Sequence, residues 1–253
     1  MNLINEVKKK REFSGLPDSV VLRALELNDE DVKETRSFLR KYFGVFLTNR
    51  VMRFARSRVT GHGSRDILVA HKSSALRDYE KFYGEIFEVI GNRQQEIETV
   101  IDLGCGVNGF SYEFLPSGIR YVGVEAVGQL VDGMNGYFEE RGFDAWAVKL
   151  DLFDLDSVLK IIKGVKSTRV VFLFQVVDAL EGLERNYSKK FLLEIMKVLG
   201  EKDLVVVSYR VEGLSGSGMY ANRKWLVEFL EENFDVESFE VDGEMALIIK
   251  SRI

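Results

Sequence analysis

The stretch VIDLGCGVNG, residues 100–109, joins a run of apolar residues to a turn that contains three glycines. The run from Thr99 to Leu103 reads as a buried strand, because strands covered on both faces are nearly continuous apolar segments. A Gly-x-Gly turn lets the backbone approach a ligand closely, since neither glycine carries a Cβ. Ligands bind at the carboxyl ends of strands in open α/β sheets. The stretch therefore predicts a strand, a turn and a ligand site in succession.

The rest of the carboxyl-terminal part alternates between strand and helix patterns. Short β-branched runs follow at YVGV (121–124), AWAVKL (145–150), VVFLF (170–174) and LVVVSY (204–209). Helical spacing occurs near 128–141, 154–163, 187–199 and 221–233. The segment FDVESFEVDGEMALIIK (234–250) places two strand patterns around Asp-Gly-Glu, which is a hairpin signal. We predict an α/β protein with a doubly wound, Rossmann-like parallel sheet that ends in an antiparallel pair.

The amino-terminal part has a different pattern and a different charge. Apolar residues recur at helical spacing up to about residue 92, so we expect a helical domain at 1–92 and a catalytic domain at 93–253. Residues 1–95 hold 18 Lys and Arg against 13 Asp and Glu, and the remainder holds 17 against 27. Between 36 and 77, ten basic side chains accompany a single acid. This excess predicts an RNA-binding surface in which phosphates contact Arg50, Arg53, Arg56, Arg58 and Arg65; the solvated face of a helix is the alternative.

Cysteine and histidine are scarce in this chain. One cysteine excludes an internal disulfide, and with two histidines it cannot form the usual closed Cys/His zinc site. The first residues lack an apolar stretch of signal-peptide length, and no uninterrupted run of about 18 apolar residues occurs. We therefore expect a cytoplasmic protein with no metal and no membrane partner. We also expect Cys105 to pack beside or line the ligand pocket.

Three acids lie at or near the ends of three successive predicted strands. Asp102 can accept a hydrogen bond from a ligand ammonium, Glu125 can take both hydroxyls of a ribose, and Asp151 can accept from an adenine amino group. This set suits a cationic adenosyl ligand better than a pyrophosphate. We predict S-adenosylmethionine as the cofactor, contacted by His71, Asp102, Gly104, Cys105, Gly106, Glu125, Ala126, Asp151, Leu152 and Gln175.

NAD is the competing cofactor, because Gly104, Gly106 and Gly109 match the spacing G-x-G-x-x-G. That match alone is weak. The acid before the glycines, the Leu-Asp pair after the third strand and the terminal hairpin favour the methyl donor.

Four stretches between about residues 70 and 230 resemble a known family, the 16S ribosomal RNA methyltransferases that confer aminoglycoside resistance, together with their archaeal relatives. They are HKSSALRDYEKFYGEIF (71–87), DLGCGVN (102–108), FLFQVVDALE (172–181) and VSYRVEGLSGSGM (207–219). The chain departs from the family at Gly109, where proline is frequent, and at Glu125, where aspartate is usual. In the first stretch, Ser73 or Ser74 is expected to cap a helix that begins near Ala75.

The resemblance implies methylation of a guanine ring nitrogen in the decoding region of small-subunit ribosomal RNA. Ring nitrogen seven already has a lone pair, so the reaction requires alignment and no general base. Gln175 and Asp178 are candidate readers of base edges, and Tyr209 and Arg210 are candidates for stacking on or clamping the nucleotide. The alternatives are polar residues at a helix start, a core tyrosine and a solvated arginine. The glycine-rich loop 212–219 is expected to move when substrate binds.

Two other functions stay open at this point. In a small-molecule methyltransferase the amino-terminal helices would form a lid and the basic stripe would be incidental. A ribosome assembly factor without enzymatic activity could keep the fold and the cofactor for their shape.

Overall fold

A computed structural model describes residues 2–43, 63–70, 74–92, 96–211 and 223–252 of the chain. Its strands form one sheet in the order β3-β2-β1-β4-β5-β7-β6. The strand bounds are β1 Thr99–Leu103, β2 Arg120–Glu125, β3 Ala145–Lys149, β4 Arg169–Phe174, β5 Leu204–Arg210, β6 Asp235–Val241 and β7 Glu244–Lys250. β1 to β5 are parallel, whereas β7 is antiparallel to both β5 and β6. The predicted α/β sheet with a terminal antiparallel pair is confirmed.

The terminal hairpin turns at Asp242 and Gly243, with φ values of 51° and 71°. Positive φ at both central residues is what a two-residue type I′ turn requires, and Asp-Gly supplies it at low cost. The turn places β7 between β5 and β6. The sheet of a dinucleotide-binding Rossmann fold continues in the order 3-2-1-4-5-6. The antiparallel β7 between β5 and β6 therefore distinguishes this fold from the dinucleotide-binding fold that NAD would require.

The described α-helices include the four that periodicity predicts, one of them, 128–141, with the predicted bounds. Their bounds are α1 Leu3–Lys8, α2 Asp18–Glu26, α3 Val32–Phe43, α4 Gly63–Ala70, α5 Tyr79–Asn92, α6 Gly128–Arg141, α7 Leu155–Gly164, α8 Val177–Leu183, α9 Tyr187–Val198 and α10 Lys224–Asn233. The seven-residue α8 is too short for a periodicity signal. Within the described ranges, none of these helices has the length and apolarity that crossing a bilayer requires.

Alternate residues of the central strands point to opposite faces of the sheet, and helices cover both faces. Val100 and Phe172 share one core with α5 and α6, whereas Ile101 and Val171 share the other with α7, α9 and α10. Burial of each such side chain contributes about 1.5–3 kcal/mol to stability. The carboxyl ends of β1 to β4 consequently project from a sheet that is packed on both sides.

The amino-terminal helices join the same packed body. α1, α2 and α3 contact one another, and Val7 and Phe13 belong to the core that includes Phe172. The ring of Tyr83 in α5 stacks on that of Phe172 with centroids 6.2 Å apart. Thus α5 packs on the sheet, although it precedes residue 92. The division into an RNA-binding and a catalytic domain at that residue stays a prediction.

The expected start of α5 is wrong. Ser74–Leu76 form a single 3-10 turn, and the α-helix begins at Tyr79. Its cap is Asp78, whose Oδ1 accepts a hydrogen bond from Lys81 N at 3.2 Å. The chain leaves the helical path at Arg77, whose side chain is buried in an ion pair with Glu244. Ser73 lies outside the described residues.

Candidate functional site

The glycine turn after β1 adopts backbone conformations that favour glycine. Gly104 has a φ of 72° and Gly106 a φ of 55°. A Cβ on Gly104 would lie 2.6 Å from Cγ2 of Val176, which follows β4. The backbone amides of Gly104 and Cys105 donate to Val124 O at 2.8 and 3.1 Å. The turn is therefore fixed to the end of β2 and leaves no room for a side chain towards β4.

Glu125, the last residue of β2, holds this turn from the neighbouring strand. Its Oε2 accepts from Gly106 N at 2.9 Å and its Oε1 accepts from Val127 N at 2.8 Å. Burial raises the pKa of Glu125, and the backbone donors oppose that increase. Glu125 is a lining residue of a cleft at this edge of the sheet, and its carboxylate has lone pairs left for a ligand with hydroxyl groups.

Asp102 is fully buried next to the turn. Its Oδ2 accepts from the Tyr121 hydroxyl at 2.9 Å, whereas Oδ1 has no hydrogen-bond partner among the described residues. Burial raises the pKa of this carboxyl to about 7, against the lowering effects of the Tyr121 hydroxyl, Arg77 and the Asn108 side chain. A buried carboxyl with an unpartnered oxygen would gain from a nearby cation. Asp102 itself is not among the residues that line the cleft.

The third acid, Asp151, lies just beyond β3 and is held on both oxygens. Oδ1 accepts from Phe153 N at 3.0 Å, and Oδ2 accepts from the Ser19 hydroxyl of α2 at 2.5 Å. The Tyr187 hydroxyl donates to Leu152 O at 2.7 Å. The segment 151–153 is thus fixed from two sides, and all three of its residues line the cleft.

One cleft brings most of the predicted cofactor residues together. Its lining from the strand ends and adjoining segments consists of Gly104, Glu125, Ala126, Asp151, Leu152, Phe153, Phe174, Gln175 and Val176. The short helix α8 and the amino-terminal helices add Ala179, Leu180, Leu183, Val20, Tyr42 and Phe43. Gln175 has a φ of 57°, an uncommon value for a residue with a side chain. Such backbone strain is concentrated at functional sites.

Cys105 packs within the core. It is 2% exposed, and its Sγ lies 3.9 Å from Sδ of Met134 in α6. Burial raises the pKa of the thiol well above its usual value. A buried, protonated thiol is a poor nucleophile. Packing thus accounts for this residue, and its contact with a cofactor stays a prediction.

The three other predicted substrate residues converge on a residue that sequence reasoning missed, Arg223. Its guanidinium makes a two-pronged ion pair with Asp178, with Nε 2.9 Å from Oδ1. It also donates to Arg210 O at 3.2 Å and lies 4.9 Å from the ring centre of Tyr209. Tyr209 is 9% exposed and belongs to the core, while the Arg210 side chain donates to Asp242 O at 2.9 Å. The base-reading role of Asp178 stays a prediction, and its carboxylate is already engaged.

A second buried arginine corrects the predicted basic surface. The ten basic residues of that surface include Arg77, but its side chain is 4% exposed and pairs with Glu244 at 2.6 Å. It also donates to Asn108 Oδ1, next to the glycine turn, at 3.0 Å. The Ser208 hydroxyl donates to Glu244 at 2.5 Å. Arg77 is buried because this pair and three aromatic rings enclose it, so it cannot bind a polyanion.

Most of the predicted phosphate contacts lie outside the described residues: Arg50, Arg53, Arg56 and Arg58, as well as His71 and the loop 212–219. Arg65 is described; it is exposed on α4, and its guanidinium lies 5.8 Å from the ring centre of Phe114. In the part of the chain that the structure covers, no group of three His, Cys, Asp or Glu residues is placed to hold a metal ion.

Comparison with known proteins defines the fold. The sequence matches no protein-family model and no curated protein. Among solved structures, 16S rRNA methyltransferase RmtF in complex with S-adenosyl-L-homocysteine has a TM-score of 0.77 at 18% identity, covering 99% of this chain and 97% of that one. The 16S rRNA methylase RmtB has a TM-score of 0.71 at 18% identity, covering 99% and 98%.

The 16S rRNA methylase ArmA has a TM-score of 0.58 at 20% identity and covers 75% of this chain and 91% of its own. The likeness to RmtF and RmtB extends over nearly the whole chain, including the amino-terminal helices. The chain therefore has the Rossmann-like class I methyltransferase fold, in the form that these 16S rRNA methylases share.

Proposed function

We propose that the protein is an S-adenosylmethionine-dependent methyltransferase that modifies a base of small-subunit ribosomal RNA. The observation that carries this proposal is one cleft that unites the glycine turn, Glu125 and Asp151. The cleft lies in a chain whose fold matches RmtF and RmtB over 99% of its length. Both are 16S rRNA methylases, and the RmtF structure holds the product form of the cofactor.

The residues present fit this cofactor. Oδ1 of Asp102, which has no hydrogen-bond partner among the described residues, is a buried acceptor suited to the ammonium group, and Glu125 offers its carboxylate to the ribose hydroxyls. Asp151 can accept from the adenine amino group, and the absence of a Cβ at Gly104 keeps the turn open to close approach. When bound, S-adenosylmethionine supplies a methyl group on a sulfonium, which a nitrogen lone pair can accept.

For a guanine ring nitrogen, the work of this chain is positioning. The nitrogen brings its own lone pair, so no side chain must remove a proton. Holding the two reactants in line contributes up to about 7–11 kcal/mol in favourable cases. Gln175 supports this role, because it follows β4, lines the cleft and has a left-handed backbone. We assign it the reading of the base edge, and we assign stacking on or clamping of the nucleotide to Tyr209 and Arg210 at the adjoining end of β5.

RNA binding is assigned to the arginines of the amino-terminal part. Arg50, Arg53, Arg56, Arg58 and Arg65 fall in a stretch with a single acid, so little neutralises them locally. Arginine offers several donors in a rigid fork that suits phosphate. Each phosphate contact releases counterions, so binding should weaken as salt rises.

One observation favours a small-molecule methyltransferase as a second candidate. Val20, Tyr42 and Phe43 of α2 and α3 line the cleft together with Phe153 and Phe174. An apolar wall of this kind suits a compact substrate as well as a nucleoside. In that case the arginines would be a solvated helix face.

Labelled S-adenosylmethionine should be incubated with the protein and with small ribosomal subunits, naked ribosomal RNA or transfer RNA. We expect label in one of the ribosomal substrates. Replacement of Arg50, Arg53 and Arg56 by Glu should abolish transfer and leave cofactor affinity unchanged. Transfer at the wild-type rate with the same salt dependence in that variant would favour the small-molecule candidate. Tight cofactor binding without any transfer would favour an assembly factor.

A further inference from the structure

Close contacts between two glycines and side chains join the amino-terminal helices to the elements around the cleft. A Cβ on Gly15, in the loop before α2, would lie 1.6 Å from Oε1 of Gln129 at the start of α6. A Cβ on Gly182 in α8 would lie 2.3 Å from the Tyr42 ring at the end of α3. A side chain at either glycine would displace the neighbouring Gln129 or Tyr42 side chain. The helices α2 and α3 therefore dock on the elements that follow β2 and β4.

Two side chains of α2 extend this docking to the segment after β3. The Ser19 hydroxyl donates to Asp151 Oδ2 at 2.5 Å. Arg23 pairs with Glu184 at 2.7 Å, and its guanidinium lies 4.3 Å from the ring centre of Phe153. Asp151 and Phe153 both line the cleft. The helix α2 thus contacts two residues that line the cleft, Asp151 and Phe153.

We propose that Ser19 and Arg23 are positioning residues for the nucleoside end of the cofactor pocket, so that α2 forms its outer wall. This inference rests on the proposed function, because it assumes an adenosyl cofactor. Ser19 acts through Asp151: with Phe153 N on Oδ1 and Ser19 on Oδ2, the carboxylate plane is fixed and its other lone pairs face a ligand amino group. Arg23 acts through Phe153 by holding the ring against the cleft.

The roles of Ser19 and Arg23 predict different effects on the affinity for two nucleoside ligands. Only the action of Ser19 passes through the hydrogen bond between Asp151 and the exocyclic amino group of adenine. S-inosylhomocysteine has an oxygen in place of that amino group, so it lacks the exocyclic donor that Asp151 would accept from. Arg23 shapes an apolar contact that either nucleoside would make equally.

The chain offers matched controls for both residues. The Ser14 hydroxyl, also in the amino-terminal part, donates only to Arg11 O among its described contacts, at 2.8 Å. Arg40 pairs with Glu12 at 2.5 Å and lies 5.4 Å from the ring centre of Phe13. It repeats the contacts of Arg23 among the amino-terminal helices, and neither it nor Ser14 is a lining residue of the cleft.

The test is calorimetric binding of S-adenosylhomocysteine and S-inosylhomocysteine to the full chain. The wild type should prefer the adenosyl ligand, and Ser19→Ala should reduce that preference about three- to tenfold by weakening the adenosyl ligand alone. In an Asp151→Ala background, Ser19→Ala should have no further effect. Arg23→Gln should weaken both ligands by the same factor. Ser14→Ala and Arg40→Gln should match the wild type.

An unchanged preference in Ser19→Ala, or an equal loss for both ligands, would overturn the role of Ser19. Binding by Arg23→Gln that equals that of Arg40→Gln would overturn the role of Arg23. Either result with normal wild-type binding leaves the proposed function intact. A wild-type protein that binds neither ligand would refute the cofactor assignment and this inference together.

Discussion

Cofactor affinity should depend on pH through Asp102. Burial raises the pKa of this carboxyl to about 7, so in the free protein it is protonated below neutral pH. A cationic ammonium group favours the ionised form, and its binding must therefore displace the proton below pH 7. The affinity for S-adenosylhomocysteine should rise with pH up to about 7 and then level off.

The magnitude follows from the position of that pKa. Each pH unit below it costs up to about 1.4 kcal/mol, or tenfold in Kd. At pH 5.5 the Kd should be about thirtyfold higher than at pH 8. Calorimetry in buffers of different ionisation enthalpy should show nearly one proton released at pH 6 and almost none at pH 8.5. S-adenosylhomocysteine is the suitable probe, because it carries the ammonium group without the sulfonium charge.

Burial also raises the pKa of Glu125, so the pH dependence must be assigned to one of the two carboxyls. The variant Asp102→Asn makes that assignment, because it removes only the Asp102 carboxyl. In the variant, binding should be weaker at pH 8 and nearly independent of pH. The same replacement should stabilise the ligand-free protein. A carboxyl with a raised pKa in the folded state loses stability as pH rises from its unfolded pKa towards 7, by up to about 4 kcal/mol. A wild-type affinity that does not change between pH 5.5 and 8, or an equally steep change in Asp102→Asn, would show that Asp102 does not contact the ammonium group.

Three further predictions concern the turn, the buried ion pair and the cysteine. Gly104→Ala should weaken cofactor binding at least about tenfold, because φ at this position is positive and the new Cβ meets Val176. Circular dichroism should show no loss of secondary structure. Wild-type affinity in this variant would contradict the prediction. Glu244→Ala should lower the free energy of unfolding in urea by about 3–5 kcal/mol, since it leaves Arg77 buried and unpaired. The exposed Glu240→Ala is its control, and equal losses would count against the argument. Cys105 should resist alkylation at pH 8 until the protein is denatured, because its thiol is buried and protonated; rapid labelling of the native protein would show otherwise.

Local patterns were sufficient for the sheet and for the turn. The predicted bounds of β1 match the observed ones, because a short, mostly apolar run bounded by a glycine turn is typical of a buried strand. All five of its residues are buried in the structure. The Asp-Gly hairpin was predictable because its turn chemistry is confined to two residues. Gly104, Glu125 and Asp151 could be assigned to one cleft because parallel strands end at one edge.

The contacts that the sequence could not predict join residues far apart in the chain. Arg77 and Glu244 are separated by 167 positions, and Ser19 and Asp151 by 132. An arginine is expected on the surface unless a buried partner is known, and the sequence does not show that Glu244 is the partner of Arg77. The sequence therefore placed Arg77 on the basic surface. Arg223 likewise stands alone in sequence, and only the fold brings it to Asp178.

The proposed activity is the transfer of a methyl group to small-subunit ribosomal RNA. The most direct measurement incubates small ribosomal subunits with the protein and labelled S-adenosylmethionine, digests the 16S RNA to nucleosides and identifies the labelled nucleoside by mass spectrometry. We expect one labelled guanosine, methylated on a ring nitrogen, and much less of it with Gly104→Ala at limiting cofactor concentration. An absence of labelled nucleoside from subunits and from naked RNA, with cofactor bound normally, would contradict it.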